Sequence, residues 1–343
     1  EQSSSLGRIA AALNRDFSLT GLGRAPRAAW GLDLSASGLK AVRLGWEGKE
    51  HGVVLEKFDV VPHGKTIGEA FSDDEAKALI EETLETFCSR NKVKGQRICL
   101  GMPTRTLLSR RFAVPRVDPR KLDKLVEHEA RRHVPVPLEQ VAWDYQVVAA
   151  DDGDEKSRRR EQEVLMVAAR RPQLTDRLAV LQSAGLRVDM VQCDCLALYN
   201  FLAYDCFGYD GSDNGAAPAD TNRSTALLDV GCDQMHLVVG SPASVWFRSC
   251  RFGGEQFTRT LARELHLTAA QAEELKRRPQ RAESLHRMFA ALEPAFESLV
   301  EDARGMLDAF AADHETKRIE RLLGCGGGFQ LHGLLGYLRA DSH

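Results

Sequence analysis

Two aspartates carry the most suggestive chemistry in this chain. Asp33 lies near the end of the apolar run Ala29-Trp30-Gly31-Leu32-Asp33-Leu34. The small-residue turn Ser35-Ala36-Ser37-Gly38 follows, and Leu39-Lys40-Ala41-Val42-Arg43-Leu44 then resumes a strand pattern, so the stretch predicts a β-hairpin. Asp229 sits in the same way in Thr225 to Val230, ahead of Gly231 and a second strand over Met235 to Val239. Turns of this kind can offer backbone N–H groups to phosphate oxygens, and a carboxylate beside each turn can hold a hydrated magnesium ion. A third element, Leu322-Leu323-Gly324-Cys325-Gly326-Gly327-Gly328, is a strand running into glycines, where missing side chains would let a flat ligand such as a purine approach the backbone. Each piece alone is weak evidence, but their order repeats: strand, Asp, turn, strand occurs twice. This internal echo predicts two related lobes whose hairpins face each other across one cleft.

Other residues with chemical potential fit blander readings. The eight cysteines are scattered through mostly apolar segments and predict free, buried thiols. Cys193-Asp194-Cys195 has no second pair at zinc spacing. His128 and His133 are five residues apart, which on a helix places their rings roughly 140° from one another, so both are expected on the surface.

The elements that position these residues must come from 343 residues with 43% hydrophobic content, enough for two domains with cores of their own. Lys and Arg number 46 against 49 Asp and Glu, a net charge of -3, which gives no polybasic surface for nucleic acid. No apolar stretch approaches the roughly 18 residues of a membrane span. Residues 1–29 place Leu6, Ile9, Ala10, Leu13 and Phe17 at helical spacing among arginines, either as a tail or as an amphipathic helix. Strand material follows at 53–55 and 58–61, and Ser72-Asp73-Asp74-Glu75 predicts a capping box opening a helix. A second set of elements begins near Ile98: strands around 98–100 and 106–114, a helix entered at Asp118-Pro119, strands at 143–149 and 164–169 around a charged loop, and a helix from Pro172 to Ala184. The Gly-, Asp- and Pro-rich stretch 208–223 predicts the boundary between a first lobe (30–207) and a second (224–343).

In this order the motifs resemble the actin-like ATPase superfamily, and within it the PilM group of type IV pilus assembly proteins, with FtsA more distant. Gly31 to Val42 and Leu228-Asp229-Val230-Gly231 look like the two phosphate motifs, and Gly326-Gly327-Gly328 with Gly333-Leu334 like the adenosine motif. Phe252-Gly253-Gly254-Glu255-Gln256-Phe257-Thr258 and Ala272-Glu273-Glu274-Leu275-Lys276 look like the helix pair at the ribose and base. His133-Val134-Pro135-Val136-Pro137-Leu138-Glu139 followed by Trp143-Asp144-Tyr145 is similar to PilM in particular.

The resemblance implies an α/β, two-lobed actin-like ATPase fold, with an FtsA/PilM-type subdomain inserted in lobe one at about 98–171. It implies ATP and magnesium as ligands. Asp33 and Asp229 would hold the metal through water, and Ser35, Ser37, Lys40 and Gly231 would serve the phosphates. Gly254, Glu273 and Lys276 would border the ribose and base, with Gly326, Gly327 and Gly328 against the adenosine. Asp229 and His236 would be the weak candidates for any hydrolytic role. The implied partner is the N-terminal peptide of a PilN-like inner-membrane protein, taken in a groove walled by Arg105 to Val114 with Pro115. Membrane contact would be indirect, the location cytoplasmic and peripheral, and a homo-oligomer remains open. A degenerate secretion-platform protein resembling GspL, or an active ATPase or kinase, is the alternative. Two departures bear on ATP. Ser35 stands where the family usually has glycine and would cost on the order of 1 kcal/mol if that position needs a positive φ. Asp233 would bring negative charge toward the phosphates. The sequence also ends at His343, ahead of the strand and helix that usually close the family's first lobe.

Overall fold

The computed structural model describes residues 28–48, 52–148, 161–208, 223–242, 244–314 and 316–341. The tail reading for 1–27, the charged loop within 149–160 and most of the 208–223 boundary lie outside these residues. The chain divides into two compact units, Glu1–Ala217 and Pro218–His343.

In the first unit, β1 (Ala28–Ser35) and β2 (Gly38–Trp46) form the predicted hairpin, and β3 (Val53–Pro62) pairs with β2. Strand alternation sends Trp30, Leu32 and Leu34 to one face, where they are buried with Leu39 and Ala41, while Asp33 and Lys40 take the other. Helix α1 (Asp73–Arg90) closes this core with Leu84 and Phe87, and Phe87 meets Trp30 edge to face at 5.3 Å between ring centroids. The predicted capping box is one-sided. The Ser72 hydroxyl accepts the Glu75 N–H, but the Glu75 carboxylate reaches one residue further and takes the Phe71 N–H. After α1, β4 (Arg97–Met102) runs parallel to β1, and β8 (Met190–Cys193) parallel to β4, giving the order β3-β2-β1-β4-β8.

Between β4 and β8 the chain builds a separate sheet from β5 (Leu107–Pro115), β6 (Val141–Val148) and β7 (Glu161–Arg170), antiparallel throughout in the order β5-β7-β6. Helix α2 (Pro119–His133) starts with Pro119 at its first position and Asp118 accepting the Arg120 N–H, and packs Val126 and Ala130 onto Phe112, Val114, Val164 and Met166. His133 corrects an expectation. It is half-buried, its ring stacked on Phe112 at 4.7 Å between centroids, because the last turn of α2 lies over β5; His128, on another face, is exposed. Helix α3 (Arg171–Ser183) then returns the chain to the first core through Leu181, and α4 (Asp194–Phe207) follows β8.

The second unit repeats the first sheet's plan. Strands β9 (Arg223–Val230), β10 (Met235–Gly240) and β11 (Val245–Cys250) form an antiparallel meander, and β12 (Arg318–Cys325) returns parallel to β9 in the order β11-β10-β9-β12. Its core is covered by α5 (Gly254–Glu264), α6 (Ala269–Arg277) and the long α7 (Leu285–Asp313), with α8 (Leu334–Asp341) ending the described chain. In α7, Met288, Ala291, Leu292, Ala295, Phe296 and Leu299 fall three and four apart and share one buried face. Leu292, Leu299 and the Phe257 of α5 are fully buried; each such side chain contributes about 1.5–3 kcal/mol.

Candidate functional site

The first hairpin turns through Ala36 and Ser37. β1 stays extended through Ser35, so the expected backbone cost at that serine is absent: among the described residues, only His266 combines a positive φ with a side chain. The unusual backbone belongs to Gly38, with φ +149°, where an added Cβ would come 2.4 Å from the Val61 carbonyl oxygen. The Ser35 hydroxyl donates to the Gly38 carbonyl at 3.0 Å and lies 3.4 Å from that of Ser37. Asp33 and Lys40 face each other by register, with Nζ 3.1 Å from Oδ2, and both side chains are more than half exposed. Such a pair contributes little to stability and is within reach of a ligand.

Beneath this hairpin lies a residue the sequence reading passed over. Arg177 of α3 donates from Nη2 to the Leu34 carbonyl, while its Nε is shielded from solvent and meets no acceptor. Burial lowers the pKa of this guanidinium from its ordinary value; Asp33 opposes the effect, Arg105 adds to it and Asp194 opposes it again. The signal was legible, since Leu174, Arg177, Leu178 and Leu181 fall three and four apart and put a lone arginine on the apolar side of α3. Asp194, at the start of α4, accepts the Thr104 N–H at 3.1 Å, the Thr104 hydroxyl, and its neighbour Cys195's N–H at 2.7 Å. It thereby pins the point where the chain leaves β4 for the inserted sheet.

The second hairpin is braced by backbone. Gly231 N–H donates to the Gln234 carbonyl at 2.8 Å to close the turn, and the first N–H groups of α5, those of Gly254 and Glu255, donate to the Gly231 and Cys232 carbonyls at 2.9 and 2.8 Å. His236 stands directly across from Asp229 on β10, buried, with Nδ1 2.6 Å from the Ser249 hydroxyl. Gly326, at φ +89°, packs so closely on Asp229 that a Cβ there would lie 2.2 Å from Oδ1 and 2.5 Å from the Val230 carbonyl oxygen. Gly328 is equally confined, by the Val230 side chain, whereas Gly327 faces open space. Asp233 occupies the turn itself. The Cys232 thiol is pushed up to about 11 by burial, then by the charges of Glu255 and Asp233.

The expected helix pair also converges. Lys276 Nζ donates to the Gly254 carbonyl at 3.0 Å and the Thr258 hydroxyl at 2.8 Å, and pairs with Glu273 at 2.6 Å. Burial raises the Glu273 carboxyl, but hydrogen bonds from Lys276 and Thr258, the charge of Lys276 and a hydrogen bond from Arg277 outweigh it and hold its pKa below the ordinary value. Thus the structure brings Gly231, Gly254, Glu273 and Lys276 together with Asp229 and Gly326 around one end of the second sheet, and Asp33, Ser35, Ser37 and Lys40 around one turn of the first. In the first unit, the unmet Nε of Arg177 and the paired serine hydroxyls offer donors suited to an anion; in the second, Gly327 leaves open backbone.

Two sheets that share the order of four strands, each opening on an Asp-bearing hairpin, with a three-stranded unit spliced between β4 and β8, make this an actin-like α/β protein. The chain belongs to the family described as type IV pilus assembly protein PilM, whose sequence model matches residues 31–342. It is similar to the solved PilM-PilN type IV pilus biogenesis complex, at 23% identity and a TM-score of 0.67, over 91% of this chain and 85% of that one. Weaker likenesses, both at a TM-score of 0.45, are to ethanolamine utilization protein EutJ from Carboxydothermus hydrogenoformans (13% identity, covering 98% of this chain and 91% of that one) and to MreB 5 of Spiroplasma citri bound to AMPPNP (12% identity, 92% and 89%). No helix among the described residues is long and apolar enough to cross a membrane.

Proposed function

We propose that this chain is an ATP-binding scaffold of a pilus inner-membrane assembly platform, held there by the cytoplasmic N-terminal peptide of a PilN-like membrane protein. The observation that carries the reading is the family match over 31–342, which takes in both Asp-bearing hairpins and the inserted sheet. By the resemblance, Asp33, Lys40 and the Ser35–Gly38 turn of the first unit would serve magnesium and phosphate oxygens, and in the second unit Asp229 would serve magnesium, Glu273 and Lys276 the ribose, and Gly327 the base. Magnesium held there would supply charge neutralisation to the phosphates and offset the nearby carboxylate of Asp233. Turnover is slow or absent.

The peptide docks on the inserted unit. Its strand β5 is an edge of the three-stranded sheet, paired only with β7 among the described residues, and Arg105 to Pro115 forms its outer rim. An open edge of this kind can accept an extended peptide by main-chain hydrogen bonds. The test is fluorescence anisotropy of a labelled peptide bearing the cytoplasmic N-terminus of the pilus membrane protein encoded with this chain. Saturable binding is expected, and a flat titration would refute the docking role.

A further inference from the structure

Arg177 brings to the first hairpin a cation with a buried donor that meets no acceptor. A guanidinium has five N–H donors in a fixed fork. Here Nη2 is bound to the Leu34 carbonyl, Nε is shielded from solvent with no acceptor, and the side chain makes no ion pair among the described residues. The neighbouring carboxylates are already engaged, Asp33 by Lys40 at 3.1 Å and Asp194 by the Thr104 and Cys195 N–H groups. A guanidinium drawn away from water and left with unused donors is suited to an anion with several oxygens in one plane or tetrahedron.

Its position narrows the choice of anion. Leu34 immediately precedes Ser35, so Arg177 lies directly behind the turn whose serine hydroxyls face one another. That turn is at the carboxyl end of β1, beside Thr104 following β4 and Asp194 following β8, the end of a parallel sheet where ligands of open α/β folds bind. Arg105, close enough to lower the affinity of Arg177 for its proton, adds a second positive charge to the same corner.

We propose that Arg177 is an anion-binding residue of the first hairpin, giving its unused donors to a phosphate oxygen of the bound nucleotide. The proposal rests on the nucleotide reading above, and the experiment keeps the two apart. Calorimetric titration of the full chain with Mg-ATP and Mg-ADP is run on the wild type, Arg177→Gln, Arg177→Lys and Lys276→Ala, with thermal unfolding of each nucleotide-free variant alongside. Loss of one charge-assisted pair to phosphate should weaken ATP binding by about 10- to 100-fold in Arg177→Gln. Arg177→Lys should recover part of it, and the nucleotide-free Arg177→Gln protein should lose no more than the single bond to Leu34, a small shift in unfolding temperature, because the removed charge had no ionic partner. A purely structural tie to Leu34 would instead show that shift and leave ATP affinity unchanged. If Lys276→Ala loses ATP while Arg177→Gln keeps it, the nucleotide reading stands and the assignment of Arg177 is overturned. If the wild type binds neither nucleotide, both are overturned. If Arg177→Gln loses the membrane partner's peptide and not ATP, the anion is a peptide carboxylate and the phosphate assignment is overturned.

Discussion

The two Asp-bearing hairpins share a strand order and differ in what holds them. In the first, the backbone N–H groups of His63 and Ile67 reach the Ser37 and Ala36 carbonyls at 3.0 and 2.8 Å, and side chains add to them: a serine hydroxyl on a carbonyl, an exposed Asp33–Lys40 pair, and an arginine from a helix that follows the inserted sheet. In the second, the turn carbonyls are likewise met by backbone, the N-terminus of α5, and the glycine run is pressed against Asp229. A backbone-braced hairpin is set by the fold and tolerates little change. The side-chain share of the first hairpin, which includes Ser35, Lys40 and Arg177, can adjust and should be more forgiving of substitution.

The largest effect should come from the tightest backbone contact. Gly326→Ala would both force a side chain onto a glycine-only conformation and drive a Cβ into Asp229 and Val230; a cost of about 2–5 kcal/mol in chemical denaturation is expected. A loss below about 0.5 kcal/mol would show that the second hairpin is as pliant as the first.

Next comes Lys276→Ala, which leaves the half-buried Glu273 with Thr258 and Arg277 alone. About 1–3 kcal/mol should be lost at neutral pH, the solvent-exposed share being screened. The pH dependence has a definite sign. The Glu273 carboxyl is held below its ordinary pKa in the folded state, so its stabilising contribution is present above about pH 4.3 and disappears as pH falls through the depressed folded value. Denaturation curves below pH 5 should therefore show wild type and variant converging, and parallel curves would show that the pair does not set the shift.

The smallest effect should be at Ser35→Gly. If the serine were strained, glycine would stabilise; with β1 extended through this position and the hydroxyl bound to Gly38, the change should cost about 0.5–1.5 kcal/mol.

What the sequence disclosed and what it hid follow the same division. Hairpins, caps and the inserted β5-α2-β6-β7 run were readable because strand alternation at Trp30, Leu32 and Leu34, the Asp118-Pro119 start and the repeated Asp-turn order are local signals. The convergence of Glu273 and Lys276 on Gly254 was legible only through resemblance, since 19 residues of chain separate Gly254 from Glu273. Whether Ser35 needs a positive φ is not legible in the sequence, because a positive φ can sit at any of several turn positions and here falls on Gly38. His133 was misplaced for a comparable reason: its position on α2 gave its angle from His128 but not the aromatic ring of β5 beneath it. Arg177 was missed although its spacing marked it, because a charge on an apolar helix face acquires meaning only once the carbonyl and carboxylates around it are known.

The proposed magnesium-dependent binding of ATP is tested most directly by calorimetry. Titrated with and without magnesium, the wild type should bind more tightly when the ion is present, and Asp229→Ala should lose that magnesium dependence. Equal affinity of wild type and Asp229→Ala under both conditions would contradict it.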